Sequence, residues 1–202
     1  MLTIWGRLNS HNVKKVAWLA DEIGLDYVRH DVGGQFGIDA AYRALNPNAL
    51  IPTIEDDGFV LWESNAILRY LAARYAPALW PADPAARAMA DRWMDWQFGY
   101  ADAQRGAFIN LVRKPPEMRD ADAIARSAAA CAQQMAILND ALSISPWLSG
   151  AAFGLGDIPM GVYAHTWFTL AIDRPPFSAL ANWYARLIAR PAYTQQVMIP
   201  LT

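Results

Sequence analysis

Between Val13 and Ile23 the apolar residues Val13, Val16, Ala17, Leu19, Ala20 and Ile23 recur at close to helical spacing, and Gly24 supplies a stop. This pattern predicts a helix with one buried face. Ahead of it Leu2 to Trp5 is a short apolar run of strand character, joined to the helix by the polar turn Gly6 to Asn12. Asp26 to Val32 predicts a second strand, Gly33-Gly34-Gln35-Phe36-Gly37 a flexible loop, and Asp39 to Leu45 a short helix that Asn46-Pro47 ends. Two further strands, Thr53 to Glu55 and Phe59 to Trp62, flank the strong hairpin turn Asp56-Asp57-Gly58. Ser64 to Tyr75 comes next as a helix carrying Ile67, Leu68 and Leu71 on one face. The order is an alternating parallel half followed by an antiparallel hairpin.

The stretch Ala76 to Pro84 breaks the pattern, because three prolines in nine residues cannot continue a helix. Asp83-Pro84 then makes a good cap and first-turn pair for the next one. From there to the carboxy terminus the chain reads as all helical: Ala85 to about Val112, bent near Gly106 and closed by Pro115-Pro116, then Asp120 to Leu142, Asp157 to about Ile172, Ser178 to Ala189, and a short piece Ala192 to Val197. The organisation expected is an α/β domain over residues 1–76, a linker over 77–84 and an all-α domain over 85–202.

Composition narrows the function. Of 202 residues 54% are apolar and only 18% charged, below the usual charged share of about 25%, so some apolar surface is expected to meet a partner subunit. A formal charge of −2 without any basic block argues against nucleic acid. Cys131 is the single cysteine, which excludes an internal disulfide and fits a reducing, cytoplasmic setting. No apolar run reaches the roughly 18 residues of a membrane span. His11, His30 and His165 are scattered without metal-ligand spacing, so no metal is expected.

The chemistry concentrates between Asn46 and Ile67. Ile51-Pro52 stands at the entrance to a strand, where an X-Pro bond can be cis and present the Ile51 amide and carbonyl sideways to another peptide. Ser64 is a good N-cap, so the first N–H groups of its helix point out beside Ile51. A ligand with a peptide-like middle would pair at Ile51, seat a carboxylate at Ser64 and place an ammonium on Glu63.

The string LIPT, then the DG hairpin, then WESNAILRYLA resembles the glutathione site of the glutathione S-transferase family, and PWLSG, GDIPMG and RPAY resemble that family's carboxy-terminal domain. The resemblance implies a thioredoxin-like amino-terminal domain, an all-helical second domain, glutathione as co-substrate, and a cytoplasmic homodimer formed through the third helix and the long helix. It implies that Ile51, Pro52, Glu63 and Ser64 bind glutathione. It also implies that its thiolate is held in the turn before the first helix, by Ser10 as in theta-like members, by Asn12 as in some bacterial and fungal ones, or by Asn9. As ordinary residues, Ser10 and Asn12 are both good caps for a helix beginning at Val13. Two departures stand out. Leu50 occupies the position where many members carry a lysine for the glycine carboxylate, leaving Asn48, Gln35 or Arg7 to substitute. Gly154 replaces the Ser or Thr of the capping box completed by Asp157, a change expected to cost a few tenths of a kcal/mol. The electrophile site is expected between the domains, with Tyr100, Gln104 and Phe108 on one face of the long helix and Arg113 beyond it. A small apolar electrophile is the expected second substrate. A glutathione-dependent disulfide reductase, a peroxidase or dehalogenase, and a non-catalytic binding module are the alternatives.

Overall fold

A computed structural model describes residues 1–202. In the first part of the chain β1 (Leu2–Trp5), α1 (His11–Glu22) and β2 (Tyr27–His30) form a parallel unit, followed by α2 (Ala40–Leu45), the hairpin β3 (Thr53–Asp56) and β4 (Phe59–Trp62), and α3 (Ser64–Tyr75). The sheet order is β2-β1-β3-β4, with β1 parallel to β2 and antiparallel to β3. Ile4 faces Ile54 across that antiparallel ladder, and both are fully buried. The hairpin turn is tighter than the sequence indicates: β3 includes Asp56, and Asp57 (φ 50) and Gly58 (φ 86) alone make the left-handed two-residue turn. Arg74 at the end of α3 reaches back to this turn, 3.3 Å from Asp56 and 3.4 Å from Asp57. The glycine-rich loop contains a single 3-10 turn, Gly34–Phe36.

The helical part comprises α4 (Pro84–Phe108), α5 (Ala121–Ile144), α6 (Asp157–Thr169) and α7 (Ser178–Ile188), with α8 (Pro191–Gln196) after them. Asp83 caps α4 by accepting the Ala86 N–H at 2.8 Å, and Asp120 caps α5 through Ala123 at 2.9 Å. In place of a bend at Gly106, α4 runs into a π-helical turn at Ile109–Arg113. Buried Asn110 organises this turn, donating to the Gly106 carbonyl at 2.9 Å and accepting from Lys114 and from the Asp120 N–H, each at 3.0 Å. No helix is long and apolar enough to cross a membrane.

Two compact units result, Met1–Ala82 with Pro191–Ile199, and Asp83–Arg190 with Pro200–Thr202. The last helix, grouped from the sequence with the helical domain, thus packs with the sheet-containing unit. The reason is its apolar content: Tyr193 and Val197 are fully buried, and the Tyr193 ring meets Trp18 of α1 edge to face at 4.8 Å. Polar ties reinforce the joint. Lys14 donates to the Val197 carbonyl at 2.9 Å, and Gln196 donates to Asp21 at 2.5 Å.

The start of α7 is held from outside. Phe177 at its cap position offers no side-chain acceptor, and Asn139 of α5 instead accepts the Ala179 and Leu180 N–H groups at 3.0 and 3.2 Å. Asn139→Ala is expected to lower stability by about 1–2 kcal/mol, the usual effect of deleting a helix cap. Urea unfolding at constant m-value measures it, and no change in the midpoint would refute the capping role.

Candidate functional site

Gly6, the residue after β1, has φ +148, and a Cβ there would lie 2.5 Å from Val13 Cγ2 and 3.2 Å from Ile51 Cβ. Glycine therefore lets the start of α1 approach the Ile51-Pro52 loop closely. The helix begins at His11, two residues before its apolar periodicity starts, and Ser10 takes the cap position. Ser10 accepts the Lys14 N–H on its carbonyl at 2.9 Å, while its hydroxyl makes no capping bond. Asn12 is thereby corrected from possible cap to second residue of the helix. Asn9 accepts from Arg7 at 2.5 Å within the turn.

The Ile51–Pro52 peptide is cis. The carbonyl just before it, on Leu50, accepts from the Tyr42 hydroxyl at 2.6 Å and from Asn46 Nδ2 at 2.9 Å. Thr53 Oγ1 joins the same cluster, 2.8 Å from the Tyr42 hydroxyl and 3.2 Å from Asn46 Nδ2. The end of α2 thus fixes the loop from beneath.

At α3 the cap position belongs to Glu63, and Ser64 is the first helical residue. Glu63 has φ 74 and ψ 108, a left-handed conformation that costs a non-glycine residue on the order of 1–3 kcal/mol. It makes no side-chain cap bond. The backbone reversal from β4 into α3 leaves the exposed Glu63 carboxylate beside the positive end of the helix.

These elements enclose a niche of about 100 Å³ lined by Asn12, Asn46, Leu50, Ile51, Pro52, Glu63 and Ser64. Five of the site residues expected from the sequence meet here: Asn12, Ile51, Pro52, Glu63 and Ser64. Ser10 is outside the lining, as are Gln35 and Asn48, both exposed; the Asn48 amide turns to Asn46 Oδ1 at 3.3 Å. Asn46 stands in the lining instead, its amide nitrogen committed to the Leu50 carbonyl and Thr53 Oγ1. Leu50 is 63% exposed at the rim.

Behind the wall lies a cation that sequence reasoning missed. Lys15 is completely buried, with Nζ 3.4 Å from Ser64 Oγ and 3.3 Å from Asn65 Oδ1. Burial pushes its ammonium down to about 7, against an upward pull from Glu63. Its neighbour Lys14 is lowered to about 8, also by burial. The only sequence signal is their place inside the apolar periodicity of α1, where a helix this enclosed has little polar surface to offer.

In the helical unit the expected pocket face is corrected. Tyr100 and Gln104 are buried in its interior, Gln104 donating to the Tyr100 hydroxyl at 3.0 Å and to the Tyr163 carbonyl at 3.4 Å. Burial pushes the Tyr100 phenol well above its ordinary value. This face of α4 packs inside its own unit, so neither side chain is open to a ligand. Phe108 is half-buried, with the guanidinium of exposed Arg113 over its ring at 5.2 Å.

Residues 9–74 match the family model described as glutathione S-transferase, N-terminal domain. Over the full length of both chains the sequence is 44% identical to glutathione S-transferase GstB of Escherichia coli. It is 31% identical to the E. coli disulfide-bond oxidoreductase YfcG, covering 93% of this chain and 90% of that one. Among solved structures, the theta class glutathione S-transferase of the citrus canker pathogen Xanthomonas axonopodis pv. citri, with glutathione bound, superposes with a TM-score of 0.96 at 50% identity, covering 100% of this chain and 99% of that chain.

Proposed function

The chain belongs to the glutathione S-transferase family, and from that premise we propose that the niche between α1 and α3 binds glutathione and that Asn12 holds its thiolate. The observation that carries this reading is the meeting of Asn12, Ile51, Glu63 and Ser64 around one small cavity. Glutathione pairs its peptide with Ile51, sets its γ-glutamyl carboxylate at Ser64 on the helix start, and places its ammonium on Glu63. Its thiol then faces the first turn of α1. A free thiol has a pKa near 8.5 and is only a few per cent ionised at neutral pH. An amide donor and the positive end of a helix both favour the anion. Lowering the pKa by about two units corresponds to about 2.7 kcal/mol of preferential stabilisation.

The enzyme is a glutathione transferase. Its thiolate sulfur attacks an apolar electrophile, the new S–C bond forms as the bond to the leaving group breaks with its electron pair, and the thiol proton passes to solvent. No metal takes part in the reaction as proposed. Phe108 and Arg113 are the accessible members of the expected electrophile face. We place the enzyme in the cytoplasm, in detoxification, as a homodimer. Exposed Phe59 and Trp62 in one unit, and Met89 and Phe98 in the other, support a subunit contact. A second reading, glutathione-dependent disulfide reduction, rests on the 31% identity to a disulfide-bond oxidoreductase. It needs no protein cysteine at the site.

Calorimetric titration with glutathione, followed by ultraviolet titration of the bound thiol, tests the proposal. Binding with a thiol pKa well below the free value supports it, and absent binding or an unshifted thiol overturns it. Parallel assays with an aryl halide and a small disulfide then separate transfer from reduction.

A further inference from the structure

Lys15 is an unusual residue to find wholly enclosed, because an ammonium without water needs partners. Its partners include the first two residues of α3, with Nζ 3.4 Å from Ser64 Oγ and 3.3 Å from Asn65 Oδ1. Ser64 and Glu63 in turn line the niche. The cation therefore stands one residue behind the wall, at the point where the α3 helix start faces the cavity. A carboxylate hydrogen-bonded at Ser64 would bring its charge to roughly 6 Å from Nζ, the sum of the Lys15–Ser64 separation and an ordinary hydrogen bond.

We propose that Lys15 is a positioning residue for the γ-glutamyl carboxylate, a buried cation whose protonation is coupled to binding, so that the site takes up a proton when glutathione enters. This inference rests on the glutathione reading of the niche. The other charged groups around α1 have separate engagements. Lys14 turns to the Val197 carbonyl, Asp21 accepts from Gln196, and Glu22 accepts from the Trp18 indole. In the packed elements, α8 contributes no charged side chain and neither does β1. Asp56 of β3 holds the Tyr70 and Tyr75 hydroxyls and Arg74, while Glu55 of β3, Arg69 of α3 and His11 at the start of α1 are half-buried. Glu63 is the carboxylate that acts on Lys15.

In the ligand-free site burial and Glu63 together leave the Lys15 ammonium near neutrality. An anion about 6 Å away, at an effective dielectric constant of about 20, favours the charged form by about a hundredfold. Proton uptake is then nearly complete around pH 8, and affinity falls about tenfold from pH 6 to pH 8.

The test is calorimetric titration with S-methylglutathione, which carries no titratable thiol, in two buffers of different ionisation enthalpy over that pH range. The wild type is expected to take up most of a proton near pH 8 and to weaken about tenfold across the range. Lys15→Met and Lys15→Gln are expected to bind more weakly at pH 6 and to lose the Lys15 share of the uptake. They keep only the fraction of a proton that the ligand's own α-amino group takes up near pH 8, with a flatter pH profile than the wild type. A wild type that binds without taking up a proton overturns the inference and leaves the glutathione reading intact. So does either variant, folded by circular dichroism, that keeps the full wild-type uptake. If S-methylglutathione fails to bind the wild type at every pH, the glutathione reading itself falls and takes this inference with it.

Discussion

Asp157→Ala is expected to lower the unfolding free energy by at least about 3 kcal/mol, because four donors, three of them buried, converge on its carboxylate. Oδ1 accepts the Leu148 N–H at 2.8 Å and the Trp183 indole at 2.9 Å, and Oδ2 accepts the Gly154 N–H at 3.1 Å and the Ser149 N–H at 3.3 Å. Asp157 has no exposed surface. Burial pushes its carboxyl upward, and the indole and backbone donors pull it back toward the anion. Each donor stranded without water costs about 1–3 kcal/mol, and relaxation recovers only part of the sum. Asparagine is not a remedy, since its NH2 would face two of the donors. In a chain of 202 residues a loss of this size lowers the melting temperature by roughly 6–12 °C. Urea and thermal unfolding measure it, and a loss below about 1 kcal/mol would show the hub to be dispensable. The missing Ser or Thr at position 154 matters less. The Asp157 N–H still meets the Gly154 carbonyl at 3.1 Å, and only a hydroxyl acceptor is lost.

Asn12→Ala is expected to return the thiol of bound glutathione close to its free pKa, and with it to cut turnover at low pH. If Asn12 itself accounts for about two units of depression below 8.5, roughly half of the thiol is ionised at pH 6.5 in the wild type, against about 1% once that stabilisation is gone. Attack through the thiolate should then fall about 50-fold in kcat/KM at that pH. The deficit is largest in acid: above about pH 9 the free thiol ionises unaided, so the ratio of the two rates shrinks toward unity. Glutathione affinity should change far less, because Ile51, Glu63 and Ser64 are untouched. Ser10→Ala should have the smaller effect, since Ser10 lies outside the niche lining. Thiol titration and pH–rate profiles of both variants decide it. A 50-fold loss in Ser10→Ala with none in Asn12→Ala would move the role to the serine.

Much of the fold was legible because it is written locally. The alternation and turn chemistry around Asp57-Gly58 sufficed for the hairpin, and the prolines of residues 76–84 for the break before α4. Ile51, Pro52, Glu63 and Ser64 could be read together because they lie within one short stretch whose geometry is set by its own turns. What depended on distant partners was not legible. Lys15 looks like a surface residue until Ser64 and Asn65, some fifty positions away, are seen to receive its ammonium. Tyr100 and Gln104 share a helical face with Phe108, but spacing alone cannot say whether a face meets solvent or another helix. Here the carbonyl of Tyr163 on α6 receives Gln104. The cap at α3 shifted from Ser64 to Glu63 because a left-handed φ at a glutamate contradicts every local preference.

The return of Pro191–Ile199 to the first unit also bears on the order in which the protein can be made. Translation delivers the sheet, α1 and α3 early, but the apolar face of α1 around Trp18 waits for Tyr193 and Val197 until the whole helical unit has been synthesised. During that interval the nascent sheet-containing unit carries an uncovered aromatic flank and a Lys14 without its Val197 carbonyl. Its completion is therefore a late event in the making of the chain, set apart from the first unit by the more than one hundred intervening residues from Asp83 to Arg190.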